Sequence, residues 1–158
     1  MLLYHGSNMA VEKPRLVPAK RLLDFGAAFY LTSDFEQARK WSEHAVKIRG
    51  NGNATVSVFE FNEVCLQNLK LLKFDAPDHP WLRFVAANRT GKPVDDQYDL
   101  IIGPVANDQS IRTVNDYLNG YFSEDIAIQL LLPQKLKDQY AFKTEAALAY
   151  LRFKEALR

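Results

Sequence analysis

An α+β fold is predicted by three features of the sequence. Strand-like runs are short, they are mixed irregularly with capped helical segments, and the regular strand–helix alternation of a doubly wound parallel sheet is missing. The 158 residues suit one domain spanning 1–158, with length enough for a substantial core.

Leu2 to Tyr4 reads as a short strand, followed by His5-Gly6-Ser7, a turn by composition. Pro14 and Pro18 break the next segment, which Lys13, Arg15, Lys20 and Arg21 make basic. Ala27 to Leu31 is a short apolar strand with Phe29 and Tyr30 on opposite faces. Ser33 and Glu36 fit a capping box, and Phe35, Ala38, Trp41 and Ala45 recur at helical spacing over 34–48. Gly50-Asn51-Gly52-Asn53 stops that helix and turns the chain. Ala54 to Asn62, rich in β-branched and aromatic residues, predicts a strand, and Leu69 to Phe74 a second. Asp78-His79-Pro80-Trp81 opens a helix that runs to Asn88-Arg89, with proline tolerated in the first turn. Tyr98 to Ile102 predicts a central strand stopped by Gly103-Pro104, and a helix from Asp108 follows. Ser123 caps another helix, with Glu124 and Asp125 in its first turn. Gln139 to Phe142 is the last expected strand, and Thr144 starts a C-terminal helix bearing Leu148 and Leu151.

Composition narrows the function. Apolar residues make up 47% and charged residues 25%, the proportions of an ordinary globular domain. A net charge of +1 gives no bulk electrostatic case for nucleic acid or membrane binding. Cys65 stands alone, which rules out a disulfide within the chain and agrees with a reducing compartment. The N-terminus has neither the charged nor the apolar region of a signal peptide, and no stretch reaches the roughly 18 apolar residues of a membrane span. An intracellular domain, without membrane or disulfide partners, is expected. His5, His44, His79 and Cys65 share no ligand spacing, so no metal is expected. A nucleophile elbow and phosphate-loop signatures are absent, and Asp24-Phe25-Gly26 lacks every other kinase motif.

The remaining motifs are Tyr4-His5-Gly6-Ser7, then Gly26-x-x-Phe29-Tyr30-Leu31-Thr32, then Trp41. In this order and spacing they resemble the ADP-ribosyltransferase superfamily, in particular its diphtheria-toxin and poly(ADP-ribose) polymerase branch. The chain is most similar to small bacterial domains of unknown function within that superfamily, through Asp24 to Thr32, Tyr98 to Asp108 and Asp138 to Thr144. That resemblance implies a split antiparallel β core flanked by helices. It implies a mono-ADP-ribosyltransferase with NAD as substrate, acting in the cytoplasm on a macromolecular acceptor that the sequence does not identify. By analogy with other small intracellular transferases, it also implies the toxin of a toxin–antitoxin pair, neutralised by a small antitoxin protein.

The residues suit that chemistry. A glycine after a strand lets its peptide groups approach a carboxamide closely, and two aromatic faces can sandwich a nicotinamide ring. The resemblance assigns the carboxamide contact to Gly6, the adenosine ribose to His5 and the ring stack to Tyr30 and Trp41. Ser7 and Thr32 support the site by hydrogen bonds. Arg89 or the basic loop meets the pyrophosphate, and Asn88, Asn107 and Asp108 are further polar candidates. His5, Tyr30 and Gln139 form the expected catalytic set. Gln139 stands where family members that transfer readily carry a glutamate, so it can bond the ribose but brings no charge. Replacing it by glutamate is therefore expected to raise turnover, and strand alternation turns Asp138 away from it. Two alternatives follow from Gln139: a module that binds NAD or ADP-ribose without turnover, and an NAD glycohydrolase.

Overall fold

Runs of alternating large apolar side chains build two small sheets, and the capped helices cover them. In a computed structural model the described residues are 1–18, 22–95, 97–107 and 109–158, without the side chain of Cys65. Lys20, Arg21 and Asp108 lie outside the described residues. The chain runs β1 Leu2–Ser7, β2 Phe29–Leu31, α1 Phe35–Arg49, β3 Thr55–Phe61, a 3-10 turn Glu63–Asn68 and β4 Leu71–Lys73. It continues through α2 His79–Arg89, β5 Leu100–Pro104, α3 Ser110–Leu118, α4 Glu124–Leu131, β6 Asp138–Phe142, α5 Glu145–Leu148 and β7 Leu151–Leu157. Helices and sheets thus combine in an α+β fold.

The first sheet has strand order β1-β3-β7 and is antiparallel throughout. The second has order β2-β6-β5-β4, with every pair antiparallel except β4 and β5. That exception corrects the expected purely antiparallel core. Its cause is α2, which lies between β4 and β5 in the chain and supplies the long crossover a parallel pair needs.

Leu3 and Phe59 of the first sheet cluster with Phe29, Leu31, Leu100, Ile102 and Phe142 of the second. Ile101 and Ala141, on the other face of the second sheet, cluster with Trp81, Leu82 and Val85 of α2, Val114 of α3 and Leu131 of α4. β5 is therefore buried on both faces, which is why Leu100-Ile101-Ile102 reads as an unbroken apolar run. Helix α1 packs on β1 and β3. Among the described residues, no helix is long and apolar enough to cross a membrane.

Several local expectations change, among them the stop at Gly103-Pro104: β5 runs through both, which pair with Gln139 and Asp138. His5-Gly6-Ser7 extends β1 rather than turning, because Ser57, Val56 and Thr55 of β3 pair with it. The strand read over Ala27 to Leu31 shortens to Phe29–Leu31. Asp34, not Ser33, caps α1 by accepting the Gln37 N–H at 2.8 Å; Ser33 bonds Asp138, and Glu36 pairs with Arg39. The expected C-terminal helix ends at Leu148, and Leu151 begins β7, where pairing with β3 outweighs helix propensity. The 3-10 turn at Glu63–Asn68 has no counterpart in the sequence reading.

Candidate functional site

Among the described residues, β1 and β2 meet through one bridge, in which Tyr4 and Thr32 exchange N–H···O bonds of 2.8 and 3.0 Å. Backbone polar groups alternate sides along a strand, so those of Gly6 point the same way as those of Tyr4, away from β3 and across this seam. Gly6 is buried, and a Cβ there would stand 2.0 Å from the Ala38 carbonyl oxygen and 2.9 Å from the Ser42 amide nitrogen. The space left by the missing side chain is filled by α1. This corrects the reading that it leaves room for a ligand, while the peptide groups of Gly6 remain directed at the seam.

The His5 ring lies against Phe29, with ring centres 4.4 Å apart. Its Nδ1 is 2.8 Å from the Tyr30 carbonyl oxygen. A carbonyl only accepts, so Nδ1 carries the proton, and the neutral ring is left with Nε2 as an acceptor. Part of the residue's surface stays accessible, yet dense protein around the ring desolvates it and pushes its pKa below the ordinary 6.5. The bond to Tyr30 opposes that shift and the nearby Arg49 charge assists it. A depressed histidine pKa means that below pH 6.5 the unfolded chain takes up a proton the folded chain refuses. Stability is therefore expected to fall as pH drops from 7.5 to about 5.5, with a shallower fall in a His5→Gln variant. Urea midpoints at the two pH values measure this; equal slopes would place His5 in solvent.

Tyr30 is held by its hydroxyl, which donates to the Gly26 carbonyl at 2.6 Å and accepts the Phe25 N–H at 3.1 Å. Lys143 adds a bond from Nζ to the Phe25 carbonyl at 2.6 Å. The loop is anchored by Asp24, only 5% exposed. Its Oδ1 meets Arg89 Nε at 2.6 Å and Nη2 at 2.5 Å, and its Oδ2 accepts from the Ala106 N–H and Gln139 Nε2, each at 3.2 Å. Gln139 Nε2 also donates to the Pro104 carbonyl at 3.2 Å.

The expected site residues thus separate into groups. His5, Gly6, Tyr30 and Thr32 lie along the seam. Trp41 is 45% exposed, one turn from Ala38 beside the stripe of α1 that rests on Gly6, with its ring tilted on His44. Ser7 bonds Asn8 and Arg49, and Thr32 spends its hydroxyl on Asp138 and the Asp34 N–H, tying β2 to β6. Two assignments need correction. Arg89 is engaged by a buried carboxylate rather than presented to a pyrophosphate, and Gln139 is buried in the same network rather than open to a ribose. Asn88 bonds the Phe84 carbonyl within α2, and Asn107 accepts the Ser110 N–H at the start of α3.

Two open surface clefts lie elsewhere. One of about 680 Å³ is bordered by Arg112, Thr113, Phe122 and Leu130, and one of about 560 Å³ by Met1, Glu60, Tyr150 and Arg152. His5, Tyr30 and Trp41 line neither.

Asp24 and Arg49 received no role from the sequence. A carboxylate inside Leu22-Leu23-Asp24-Phe25 was the available signal for the first, since an acid in an apolar run needs a buried partner. Arg49 had no such signal; only the fold brings it to Ser7 and Asn8. No curated protein and no solved structure matches the chain. A family model described as "Protein of unknown function (DUF3990)" matches residues 1–153, nearly the whole of the seam, core and helices just described, and the chain belongs to that family.

Proposed function

We propose that the protein is an NAD-dependent mono-ADP-ribosyltransferase whose site is the seam between β1 and β2. The observation that carries this is the direction of the Gly6 peptide groups across a seam that, among the described residues, is joined at the Tyr4–Thr32 bridge and by the His5 Nδ1 bond to Tyr30, beside the Nε2 of a neutral His5 as acceptor. A peptide N–H and C=O side by side match a carboxamide, and the acceptor nitrogen matches a ribose hydroxyl. Tyr30, clamped by its hydroxyl, and Trp41, on the adjoining helix, supply aromatic faces for the nicotinamide ring. In the reaction the bond between nicotinamide nitrogen and ribose carbon breaks, the acceptor forms a bond to that carbon, and its proton leaves to solvent.

Incubation with NAD labelled in its adenosine half tests the proposal. Labelled macromolecule supports transfer. Free nicotinamide without labelled macromolecule identifies a glycohydrolase, and bound but intact NAD identifies a binding module. The Gln139 amide is buried and supplies no charge to the developing cation that transfer and hydrolysis share, which favours the binding module. Trp41→Ala is expected to weaken NAD binding by about threefold to tenfold. It should change the urea midpoint little, because the ring is 45% exposed. A variant that unfolds without a binding defect would make Trp41 a packing residue.

The cellular reading is a cytoplasmic toxin held in check by a small antitoxin protein. Expressed without that partner, the protein should slow a bacterial host more than its His5→Ala variant does. Equal growth at equal expression would reject the toxin.

A further inference from the structure

With Arg89 committed to Asp24, the charge at the His5 end of β1 is that of Arg49, the last residue of α1, held at Ser7 and Asn8. Its Nη1 donates to Ser7 Oγ at 3.2 Å and to Asn8 Oδ1. Ser7 and Asn8 are each 3% exposed, so two buried polar side chains are spent on holding one exposed guanidinium. Asn8 is fixed in turn. Its Nδ2 donates to Asn51 Oδ1 at 2.8 Å and to the Asn51 carbonyl at 3.2 Å, and its own carbonyl accepts the Asn53 N–H at 2.8 Å. The turn after α1 closes on it so tightly that a Cβ on Gly52, at φ 80°, would stand 2.1 Å from the Asn8 carbonyl oxygen.

This arrangement leaves the guanidinium oriented but not neutralised. Arg39, Arg83, Arg89 and Arg152 each close on a carboxylate. Arg49 meets none among the described residues, and its Nε and Nη2 have no acceptor there. A cation at a helix C-terminus gains from the dipole, but that accounts for charge and not for orientation by two buried acceptors. Ser7 follows His5 by two residues on the same face of β1, so the side chain that holds the guanidinium is about 7 Å along the strand from His5. One ribose spans that gap.

We infer that Arg49 is an anion-binding residue, with its Nε and Nη2 taking the diphosphate of a nucleotide whose ribose lies at His5. The inference rests on the proposed NAD site and names the contact that site lacked. Its chemistry is that of a planar fork facing phosphate oxygens, which a lysine meets only as a point charge.

Titration calorimetry with ADP, with adenosine as the phosphate-free control, tests it. Arg49→Gln should keep the wild-type fold and lower the urea midpoint only modestly, because Ser7 and Asn8 lose a donor but still bond each other. It should weaken ADP by about tenfold or more and leave adenosine unchanged. Arg49→Lys should fall between the two, and added salt should weaken ADP less in Arg49→Gln than in wild type. Failure of the wild type to bind ADP overturns the inference. So does an Arg49→Gln variant that binds ADP as wild type does, or that loses adenosine equally. Nicotinamide release from NAD is read separately: ADP bound through Arg49 without any release would sink the transferase and leave the anion site standing.

Discussion

Replacing Asp24 by asparagine is expected to lower the unfolding free energy by about 3 kcal/mol, among the largest single-residue effects in this protein. The carboxylate is 5% exposed and satisfies Arg89 through Oδ1 and both the Ala106 N–H and Gln139 amide through Oδ2. Asparagine has one acceptor oxygen in place of two and no charge, so Arg89 loses its counter-ion with its side chain only 25% exposed. Urea denaturation measures the loss, and a value under about 1 kcal/mol would show a solvated pair. Removing both charges, as Asp24→Asn with Arg89→Met, should cost less than Asp24→Asn alone, because no uncompensated charge stays behind. Gln139→Glu belongs to the same network. The new carboxyl would replace the donor that bonds Asp24 and Pro104 and stand beside a second carboxylate, so lost stability is expected in place of the gain in turnover read from the sequence.

Gly6→Ala is expected to cost about 3 kcal/mol, by a different route. The added methyl would stand 2.0 Å from Ala38 O and 2.9 Å from Ser42 N, both backbone atoms of α1. No side-chain rotation relieves such a contact, so the helix has to lift from β1 and open the packing along Ala38, Ser42 and Ala45. Gly120→Ala is the comparison. Its strain comes only from φ 79°, with nothing within 4 Å of the added carbon, and about 1 kcal/mol is expected. Chemical denaturation of the two variants decides the matter: equal losses would mean that α1 does not press on Gly6. Because the peptide groups of Gly6 face the seam, the lifted helix should also weaken any ligand held there.

Much of the helical framework was legible because its signals are local. Asp78 caps α2 by accepting the Trp81 N–H, Ser123 caps α4 by accepting the Ile126 N–H, and Gly50 ends α1 in the left-handed region, all within a few residues. The apolar run Leu100 to Ile102 announced an interior strand for the same reason. The sequence by itself determined the α+β class, the cores of β3 and β5, and helices α1, α2 and α4. It also singled out the stretches proposed to carry chemistry: Tyr4 to Ser7 and Asp24 to Trp41.

Only the tertiary structure decided how their polar groups are spent. Ser33 and Asp34 are both competent caps, and the choice went to Asp34 because Asp138, 105 residues from Ser33, engages Ser33. Leu151 to Leu157 became a strand because the edge of β3 was open to it. Arg89 and Gln139 were drawn to Asp24 across 65 and 115 residues, leaving the charge near His5 to Arg49. The physical reason is the same each time. A buried donor or acceptor must find a partner, several candidates in the chain can serve, and the one chosen is the one that packing of distant elements brings within 3 Å or so.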